Sequence, residues 1–549
     1  MACSFHIDSV GLGDALTVIG WACPSAGDRI VAVGLVWEGD PDSWIPGEFG
    51  QPRPDVAAAR GGAVECGFRI AGIPARPGRI YLLSLRLASG DTWTRRILRV
   101  EDRNGEIGCD FLTFRSRPAF RRLPAPALTP SLGHVLARYH PDPPPPPRRE
   151  APVLIVVAVY RRADLLGPFL DSLFAHTPSP FRLALVDDGG EDPAVTALFD
   201  QWRQRDSRVT TLTLERNRGF VAAVLHGFTL WQGETVVVAN SDTLLPPFWL
   251  ERLVAPLDRD PTIASTTPYS NAAQICGFPG MPGDNPLYLG LDPLQIDAAF
   301  AGLESGEMLI ELPTGVGFCM AMSRHALDRI GFFEAETFGR GYGEENDWCR
   351  KAVRAGFRNV LVPNLFVYHQ HGASFSSDVK RRQIERNLRI LEERYPDYPG
   401  AVQDHVLADP GLGWRRFVAF LLAARHHPAG ALLAISGAET PGPALRGRLT
   451  ATLSTGRPLV LATRVGLGTL VTFHWPEGWL QWPTVSLADL AALCDKAAIG
   501  AILVGDLAAT PLPATLQAAA AALQSDRTGP VEFLDPCPVP SRLDAFLAS

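Results

Sequence analysis

A run of seven apolar residues, VLIVVAV from Val153 to Val159, is the feature that most constrains the fold of this chain. It shows no polar alternation, which is typical of a parallel strand buried on both faces. Helical patterns then alternate with the strand-like runs FRLALVDD, VTTLTLE and TVVVAN. Such alternation with short connections predicts right-handed βαβ units and an open, parallel α/β sheet.

The chain contains 549 residues, which predicts two to four domains. Residues 1–116 contain short apolar stretches between Gly, Pro and Asp, and predict a small all-β sandwich. Residues 117–150, which end in five prolines from Pro143, predict an extended linker. We therefore place the α/β domain at 151–410, followed by a small, partly Rossmann-like α/β unit at 411–549.

Composition excludes several classes of function. The 51 basic and 58 acidic side chains give a net charge of -7, which argues against nucleic acid as a partner. The nine cysteines have no CxxC spacing, so they indicate neither a disulfide framework nor a zinc site and fit the cytoplasm. The sequence predicts no signal peptide and no transmembrane helix, which leaves peripheral contact at the inner face of the membrane.

Three predicted strands end in polar side chains, namely Tyr160, Asp187, Asp188, Asn240, Ser241 and Asp242. In an open parallel sheet, ligands bind beyond the carboxyl ends of the strands. Asp-Asp-Gly-Gly is also good turn chemistry, so a turn explains positions 187–190 equally well when they are taken alone. Three polar strand ends together predict a ligand site.

Eight motifs between Val153 and Pro410 occur in the order and spacing of a known enzyme family. They are VVAVYRRADLL, LVDDGG, ERNRGFVAAVLHG, VVVANSDT, TPYSNAAQICGFP, LPTGVGFCMAMSR, GYGEENDWCRKAVRAGFR and FVYHQHGASF. On these motifs the segment resembles a family-2 glycosyltransferase with the GT-A fold, most closely the branch that builds bacterial O-antigens and exopolysaccharides. The resemblance implies an inverting hexosyl- or deoxyhexosyltransferase that uses a nucleotide-diphosphate sugar and a glycan or lipid-linked glycan acceptor.

The resemblance also implies a divalent metal, Mg²⁺ or Mn²⁺, because such an ion offsets the charge of the leaving diphosphate. The family usually supplies ligands from a DxD motif, whereas this chain has NSD at 240–242. Asp242 matches the metal-binding aspartate, and His369 matches the family histidine that approaches the metal or diphosphate. His371 and Ser374 are weaker candidates.

The same resemblance implies a set of residues that bind the nucleotide sugar, namely Tyr160, Asp187, Asp188, Arg216, Asn217, Arg218, Asn240, Ser241, Gly315 and Gly317. The two aspartates would lie against the base and ribose. Residues 216–218 would face phosphate, because N–H groups and basic side chains before a helix attract anions. The alternatives are a solvated loop at 216–218 and a packing turn at the two glycines.

The acceptor hydroxyl must lose a proton as it attacks, which calls for a positioned base. In GYGEENDW, Glu345 matches the family's catalytic base. Glu344 would lie on the acceptor side, and Asp347 would be a structural or an acceptor-contacting residue on that side. The alternative is an acidic cluster that complements the dipole at a helix start.

Other functions explain parts of the sequence. A sugar-1-phosphate nucleotidyltransferase has a related sheet, but it needs a glycine-rich loop after the first strand, and no glycine precedes Gly167 there. A catalytically idle glycan-binding or scaffold protein would explain Asn240, but not the other site residues. The GLG at 466–468 is interpreted as a turn, since it lacks the third glycine of a dinucleotide site. The donor, whether dTDP-rhamnose, a UDP-hexose or a GDP-sugar, stays open.

The first unit carries a second resemblance. The stretch QPRPDVAAARGGAVECGFRIAG, which begins at Gln51, is similar to β-sandwich modules that precede some bacterial glycosyltransferases. Acceptor-glycan binding and a purely structural role are equally compatible with it.

Overall fold

The computed structural model describes residues 3–12, 16–24, 29–37, 40–53, 65–73, 80–90, 92–103, 106–111, 132–281, 284–304, 309–370, 377–438, 441–465, 468–475, 478–482, 487–505 and 531–533. The chain divides into two units, Met1–Arg122 and Leu123–Ser549. Within the described residues, no helix is both long and apolar enough to cross a membrane.

The first unit consists of strands, namely β1 (Cys3–Leu12), β2 (Leu16–Pro24), β3 (Ile30–Trp37), β4 (Asp40–Pro52), β5 (Glu65–Ile73), β6 (Ile80–Leu87), β7 (Thr92–Arg103) and β8 (Glu106–Phe111). All pairings are antiparallel, in the order β1-β2-β5-β4-β3-β6-β7-β8. Alternate residues such as Leu83 and Leu85 are buried in a core of its own.

The all-β prediction for this unit is confirmed, but the hydrogen bonds join its strands in one continuous order instead of two separate sheets. Register shifts interrupt the pairing of most neighbouring strands. Such bulges increase twist, which lets one sheet curl around its own apolar face.

The second unit begins with an eight-stranded sheet of order β11-β10-β9-β12-β16-β14-β17-β15. Its strands are β9 (Val153–Val159), β10 (Phe181–Asp187), β11 (Val209–Thr213), β12 (Val236–Asn240), β14 (Ile263–Tyr269), β15 (Ile310–Leu312), β16 (Cys319–Met322) and β17 (Arg358–Phe366). A separate two-stranded ribbon pairs β13 (Thr243–Leu244) with β18 (Tyr368–His369).

The four predicted strands β9 to β12 are parallel, but the complete sheet is mixed. β16 runs antiparallel to both β12 and β14, and β15 runs antiparallel to β17. Each of these reversed strands is at most four residues long. Such short apolar strands carry no signal of their direction in the sequence, so the sequence revealed the parallel part of the sheet but not the reversed strands that extend it.

Helices surround this sheet, namely α1 (Leu132–Ala137), α2 (Ala163–His176), α3 (Pro193–Arg205), α4 (Phe220–Phe228), α5 (Trp249–Arg259), α6 (Pro293–Ala301), α7 (Arg324–Ile330), α8 (Ala335–Phe338), α9 (Glu344–Arg354), α10 (Ser377–Arg394) and α11 (Tyr398–Ala408), with a 3₁₀ turn at Tyr288–Gly290. α2 shows why they form: it buries Leu166, Phe169, Leu170 and Leu173 at i, i+3, i+4 and i+7.

The last part of the chain forms a second sheet, of order β22-β21-β20-β19-β23-β24. Its elements are α12 (Leu412–His426), β19 (Ala431–Ser436), α13 (Pro443–Ser454), β20 (Leu459–Val465), β21 (Gly468–Trp475), β22 (Gly478–Trp482), α14 (Leu487–Lys496), β23 (Ile499–Gly505) and β24 (Val531–Phe533). β20 and β21 pair antiparallel from Val465 and Gly468. A dinucleotide fingerprint would lead from a strand into a helix, whereas these flanking residues belong to two paired strands. Gly466 and Leu467 themselves, on which the interpretation as a turn falls, lie outside the described residues.

One hydrophobic core extends across the boundary that we predicted at residue 410. The ring of Phe417 in α12 packs edge-on against the ring of Tyr139, with 5.4 Å between the ring centroids. The ring centroids of Phe417 and Trp482 are 6.4 Å apart. The helix α1 lies in the predicted linker, yet its residues Leu132, Val135 and Leu136 are buried in the same core. The spacer-like part is therefore short.

The proline run after α1 lies on the surface. Four of the five prolines from Pro143 to Pro147 are exposed. Lys496 fixes the end of α1 by donating to the carbonyl oxygen of Tyr139 at 2.7 Å. We propose that the separable boundary of the chain falls near Leu123, before α1, and that residues 117–150 do not act as one linker.

Truncation tests this boundary. We expect a chain of residues 123–549 to fold, and a chain of residues 150–549 to be markedly less stable, because it lacks α1 and Tyr139. The shorter chain loses four buried apolar side chains, those of Leu132, Val135, Leu136 and Tyr139. Burial of each contributes about 1.5–3 kcal/mol to the free energy of unfolding. Urea unfolding followed by circular dichroism compares the two chains. Equal midpoints would show that α1 contributes nothing to the core.

Candidate functional site

The carboxyl ends of β9, β10 and β12 bring the predicted strand-end residues to one rim of the sheet. The three strands are paired in register, and Val159 lies opposite Asp187 while Ala158 lies opposite Asn240. Tyr160 follows β9 and is half-buried, with the Arg161 guanidinium 5.3 Å from its ring centroid. The sequence therefore predicted correctly which strand ends adjoin.

The two aspartates after β10 organise the neighbouring loops. Asp187 accepts a hydrogen bond from the backbone N–H of Gly190 at 2.9 Å. The Asp188 carboxylate accepts from the N–H groups of Arg218 at 2.7 Å and Gly219 at 2.8 Å. Burial raises the pKa of Asp188, and these two hydrogen bonds oppose the rise. Asp188 thus fixes the position of the predicted phosphate-facing loop.

Arg340 holds the other side of that loop, and sequence reasoning missed it. Its guanidinium donates to Asn217 Oδ1, and its carbonyl oxygen accepts from the N–H of Phe220 at 3.1 Å. Gly219 has φ of 92°, and a Cβ there would lie 2.5 Å from Arg340 Cα. Only glycine allows this close approach. The signal in the sequence was an arginine flanked by glycines in FGRGYG.

Asp242 and His369 face each other where β13 and β18 pair. The Nε2 of His369 lies 3.3 Å from Asp242 Oδ1, and that buried oxygen has no hydrogen-bond partner. Nδ1 of His369 lies 3.2 Å from the carbonyl oxygen of Ala272. Since a carbonyl only accepts, Nδ1 carries the hydrogen. In the neutral ring Nε2 then carries the lone pair, which can accept a hydrogen bond or bind a cation beside the Asp242 carboxylate.

The backbone around His369 is held as firmly as its ring. The side-chain amide of Asn271 donates to the carbonyl oxygen of His369 and accepts from its N–H, both at 2.9 Å. Phe318 stacks on the imidazole, with ring centroids 5.3 Å apart. A histidine that binds a metal characteristically has its second ring nitrogen hydrogen-bonded to a carbonyl or carboxylate oxygen, as Nδ1 of His369 is to Ala272.

The pair fits a divalent cation that also binds substrate phosphates. Mg²⁺ is usually held by one or two protein groups and completed by phosphate oxygens and water. Among the described residues, no group of three or more His, Cys, Asp or Glu side chains could hold a metal alone. Asn240 adds an amide, whose nitrogen lies 3.4 Å from His369 Nε2. Ser241 lies between Asn240 and Asp242 and is half-buried.

Glu344 and Glu345 open α9 and behave as a pair. Glu344 is buried, and its pKa is raised well above its usual value by burial and by the charge of Glu345. Burial also raises the pKa of Glu345. Hydrogen bonds, including one from Glu344, lower this pKa and so oppose the rise. Glu344 is therefore the protonated partner and Glu345 the one that ionises first.

Two hydrogen bonds tie α9 to the glycine loop before β16. Thr314 Oγ1 donates to Asn346 Oδ1 at 2.9 Å, and the N–H of Gly315 donates to Cys349 Sγ at 3.1 Å. None of Thr314, Asn346 or Cys349 was predicted from the sequence. These contacts fix Glu345 relative to the loop.

The two glycines of that loop have different roles. A Cβ at Gly315 would lie 2.5 Å from Met320 Sδ, so this position is a packing turn. A Cβ at Gly317 would lie 3.7 Å from Glu345 Cγ, which is ordinary contact distance. Gly317 thus adjoins the predicted base, while Gly315 supports the loop from behind.

Asp347 lies away from Glu345, and its contacts favour the structural one of the two roles that the sequence left open for it. Its carboxylate accepts from Arg394 at 2.8 Å and from the Tyr395 hydroxyl at 2.9 Å, and it pairs with Lys351 at 2.7 Å. Residues two apart on a helix point roughly 200° apart, so Asp347 faces the opposite side of α9. His371 and Ser374 lie outside the described residues.

Comparison with known proteins shows a family match over part of this domain. Residues 154–331 match the family model described as Glycosyl transferase family 2. This segment has the GT-A-like α/β fold that the sequence predicted. Glu345 and His369 lie beyond the matched residues.

Curated relatives match parts of the chain. An undecaprenyl-phosphate 4-deoxy-4-formamido-L-arabinose transferase of Edwardsiella ictaluri is 31% identical over 117 residues, which are 21% of this chain and 36% of that protein. An uncharacterised protein of Sinorhizobium fredii is 23% identical over 270 residues, 47% of this chain and 28% of its own length. The chain thus spans about a third of these relatives.

Among solved structures, a mannosyltransferase from Pyrobaculum calidifontis in complex with GDP-Man and Mn²⁺ is 17% identical to this chain. The superposition covers 58% of this chain and 85% of that protein, with a TM-score of 0.35.

Proposed function

We propose that this protein is an inverting glycosyltransferase that moves a sugar from a nucleotide-diphosphate donor to an acceptor hydroxyl. The observation that carries the proposal is the buried, unpartnered Oδ1 of Asp242 facing Nε2 of His369 at the rim of a family-2 domain. Oδ1 of Asp242 has no hydrogen-bond partner among the described residues. A cation shared with a diphosphate would bind both this oxygen and Nε2 of His369.

The donor side combines the metal pair with the loop held by Asp188. Asp242 and His369 would hold Mg²⁺ or Mn²⁺, which, when bound, offsets the charge that develops on the leaving diphosphate. Arg216 and Arg218 lie on the loop before α4, where basic side chains and N–H groups favour phosphate. Tyr160 and Asp187 lie at the adjoining strand ends, where we propose that the base and ribose bind.

The acceptor side is Glu345. The acceptor hydroxyl oxygen forms a bond to the anomeric carbon as the bond from that carbon to the diphosphate oxygen breaks. Glu345 takes the hydroxyl proton, and the nucleoside diphosphate leaves. One displacement inverts the anomeric configuration. A raised pKa suits this role, because a general base works best when its pKa lies near the operating pH.

The biological setting is also part of the proposal. We propose a glycan or lipid-linked glycan acceptor in bacterial surface polysaccharide synthesis, with which the name of the Edwardsiella relative agrees. The absence of CxxC spacing among the nine cysteines of the sequence fits the cytoplasm, which we propose as the compartment. The donor could carry a hexose or a deoxyhexose.

Replacement of Asp242 tests the donor side. Asp242→Asn removes the charged oxygen that faces His369, so we expect Mn²⁺-dependent affinity for nucleoside diphosphates to fall by at least about tenfold, with turnover falling alongside. Calorimetry with UDP, GDP and dTDP, with and without Mn²⁺, measures this. Asp328→Asn is the matched control, because Asp328 is exposed on α7. Metal-independent binding of equal strength in all three proteins would refute the metal assignment.

Replacement of Glu345 tests the acceptor side. Glu345→Gln retains size but accepts no proton, so turnover should fall by about 10²–10⁴-fold while donor binding survives. Glu344→Gln and Asp347→Asn should cost less. In the wild type, kcat should fall as pH drops through the raised pKa of Glu345, above the ordinary carboxyl value of about 4.3.

The same three variants decide between rival assignments. Full activity in Glu345→Gln with loss in Glu344→Gln would move the base to the buried neighbour. An absence of transfer in the wild type with every donor tested, together with retained glycan binding, would favour the idle scaffold protein that Asn240 allows.

A further inference from the structure

The side of α9 opposite Glu345 lines a recess of about 690 Å³ that the proposed reaction does not use. Asp347, Lys351 and Arg354 follow at i, i+4 and i+7 on that side of the helix. The wall of this recess, called the α9 recess below, consists of Arg329, Ile330, Glu334, Lys351, Arg354, Ala355, Arg394 and Tyr395. Four of these side chains are cationic and one is anionic.

Two of the cations are neutralised. Lys351 pairs with Glu334 and with Asp347 behind the wall. Arg394 pairs with the same two carboxylates, at 2.9 Å and 2.8 Å. The two positive charges of Lys351 and Arg394 are therefore cancelled by Glu334 in the wall and Asp347 behind it.

The other two cations have no carboxylate partner among the described residues. Arg354 donates from Nη2 to the carbonyl oxygen of Arg394 at 2.6 Å, and its guanidinium lies 4.4 Å from the centroid of the Tyr395 ring. These contacts hold the guanidinium in place while its remaining N–H groups stay available. Arg329 on α7 is exposed and lines the same recess.

The recess thus carries a surplus of two positive charges, although the chain has a net charge of -7. Arg329 and Arg354 line it together with two further cations, Lys351 and Arg394. A guanidinium presents a planar fork of donors that matches the oxygens of phosphate. Since a phosphate monoester carries about two negative charges at neutral pH, its charge equals the surplus.

We propose that the α9 recess is a binding site for a phosphate group, separate from the donor site and contacted by Arg329 and Arg354. The group belongs either to a soluble phosphate ester or to an anionic lipid headgroup. The proposal does not depend on the proposed transferase activity, because the recess lies on the opposite side of α9 from Glu345.

The test uses the full chain and inorganic phosphate as the probe. Calorimetry is carried out at constant ionic strength without divalent metal, on the wild type, on Arg329→Gln/Arg354→Gln and on Arg446→Gln. Arg446 is exposed on α13, so it controls for loss of charge elsewhere. We expect the double variant to lose at least about tenfold in phosphate affinity and the control to match the wild type, because hydrogen bonds to charged groups are lost only at the recess.

A donor-site contribution is separated by Arg216→Gln/Arg218→Gln, which should retain the phosphate binding that the Arg329→Gln/Arg354→Gln variant loses. If the latter does not fold, Arg329→Gln alone serves, since this side chain is exposed. Phosphate affinity that is the same in the wild type and in the Arg329 and Arg354 variants, or no phosphate binding by the wild type, overturns the proposal.

Vesicle flotation distinguishes the two sources of phosphate. A lipid ligand predicts that the wild type, but not the Arg329→Gln/Arg354→Gln double variant, floats with phosphatidylglycerol vesicles and that neither floats with phosphatidylcholine. A soluble ligand predicts phosphate binding without flotation. Flotation of wild type and double variant alike would place membrane contact elsewhere and, with unchanged phosphate affinity, count against the recess.

Discussion

The site depends on one close contact, the approach of Asp242 Oδ1 to Nε2 of His369 at 3.3 Å. The fold enforces this contact, because the Asn271 side chain binds the histidine backbone and the carbonyl oxygen of Ala272 binds the ring. A histidine fixed in this way beside a carboxylate suits the shared cation that we propose.

The rest of the site is arranged around this pair by a small number of polar ties. Asp188 holds the 216–219 loop on one side, and Arg340 holds it on the other. The two sides of α9 carry different groups. One side carries Glu345 beside the glycine loop, and the other carries Asp347 in an ion network. The same helix can therefore position a base and form one wall of an anion site.

The sequence predicted the strand ends well and their surroundings less well. Apolar runs without alternation revealed β9 to β12, and so the adjoining positions of Tyr160, Asp187 and Asn240. For Arg340 the sequence offered only an arginine flanked by glycines, and for Cys349 it offered no signal, because their contacts join segments more than 30 residues apart through backbone atoms and sulfur. Helix α1 was hidden by its proline-rich surroundings, and its burial depends on partners near residues 417 and 496.

Pulsed electron paramagnetic resonance of bound Mn²⁺ tests the central claim most directly. With a nucleoside diphosphate present, the account predicts that one ion shows both ¹⁴N coupling from the imidazole of His369 and ³¹P coupling from the diphosphate. The ¹⁴N coupling should disappear in His369→Ala, while the ion remains bound more weakly through Asp242. Bound Mn²⁺ that shows ³¹P coupling but no ¹⁴N coupling in the wild type would contradict the account, because the ion would then not be shared with His369.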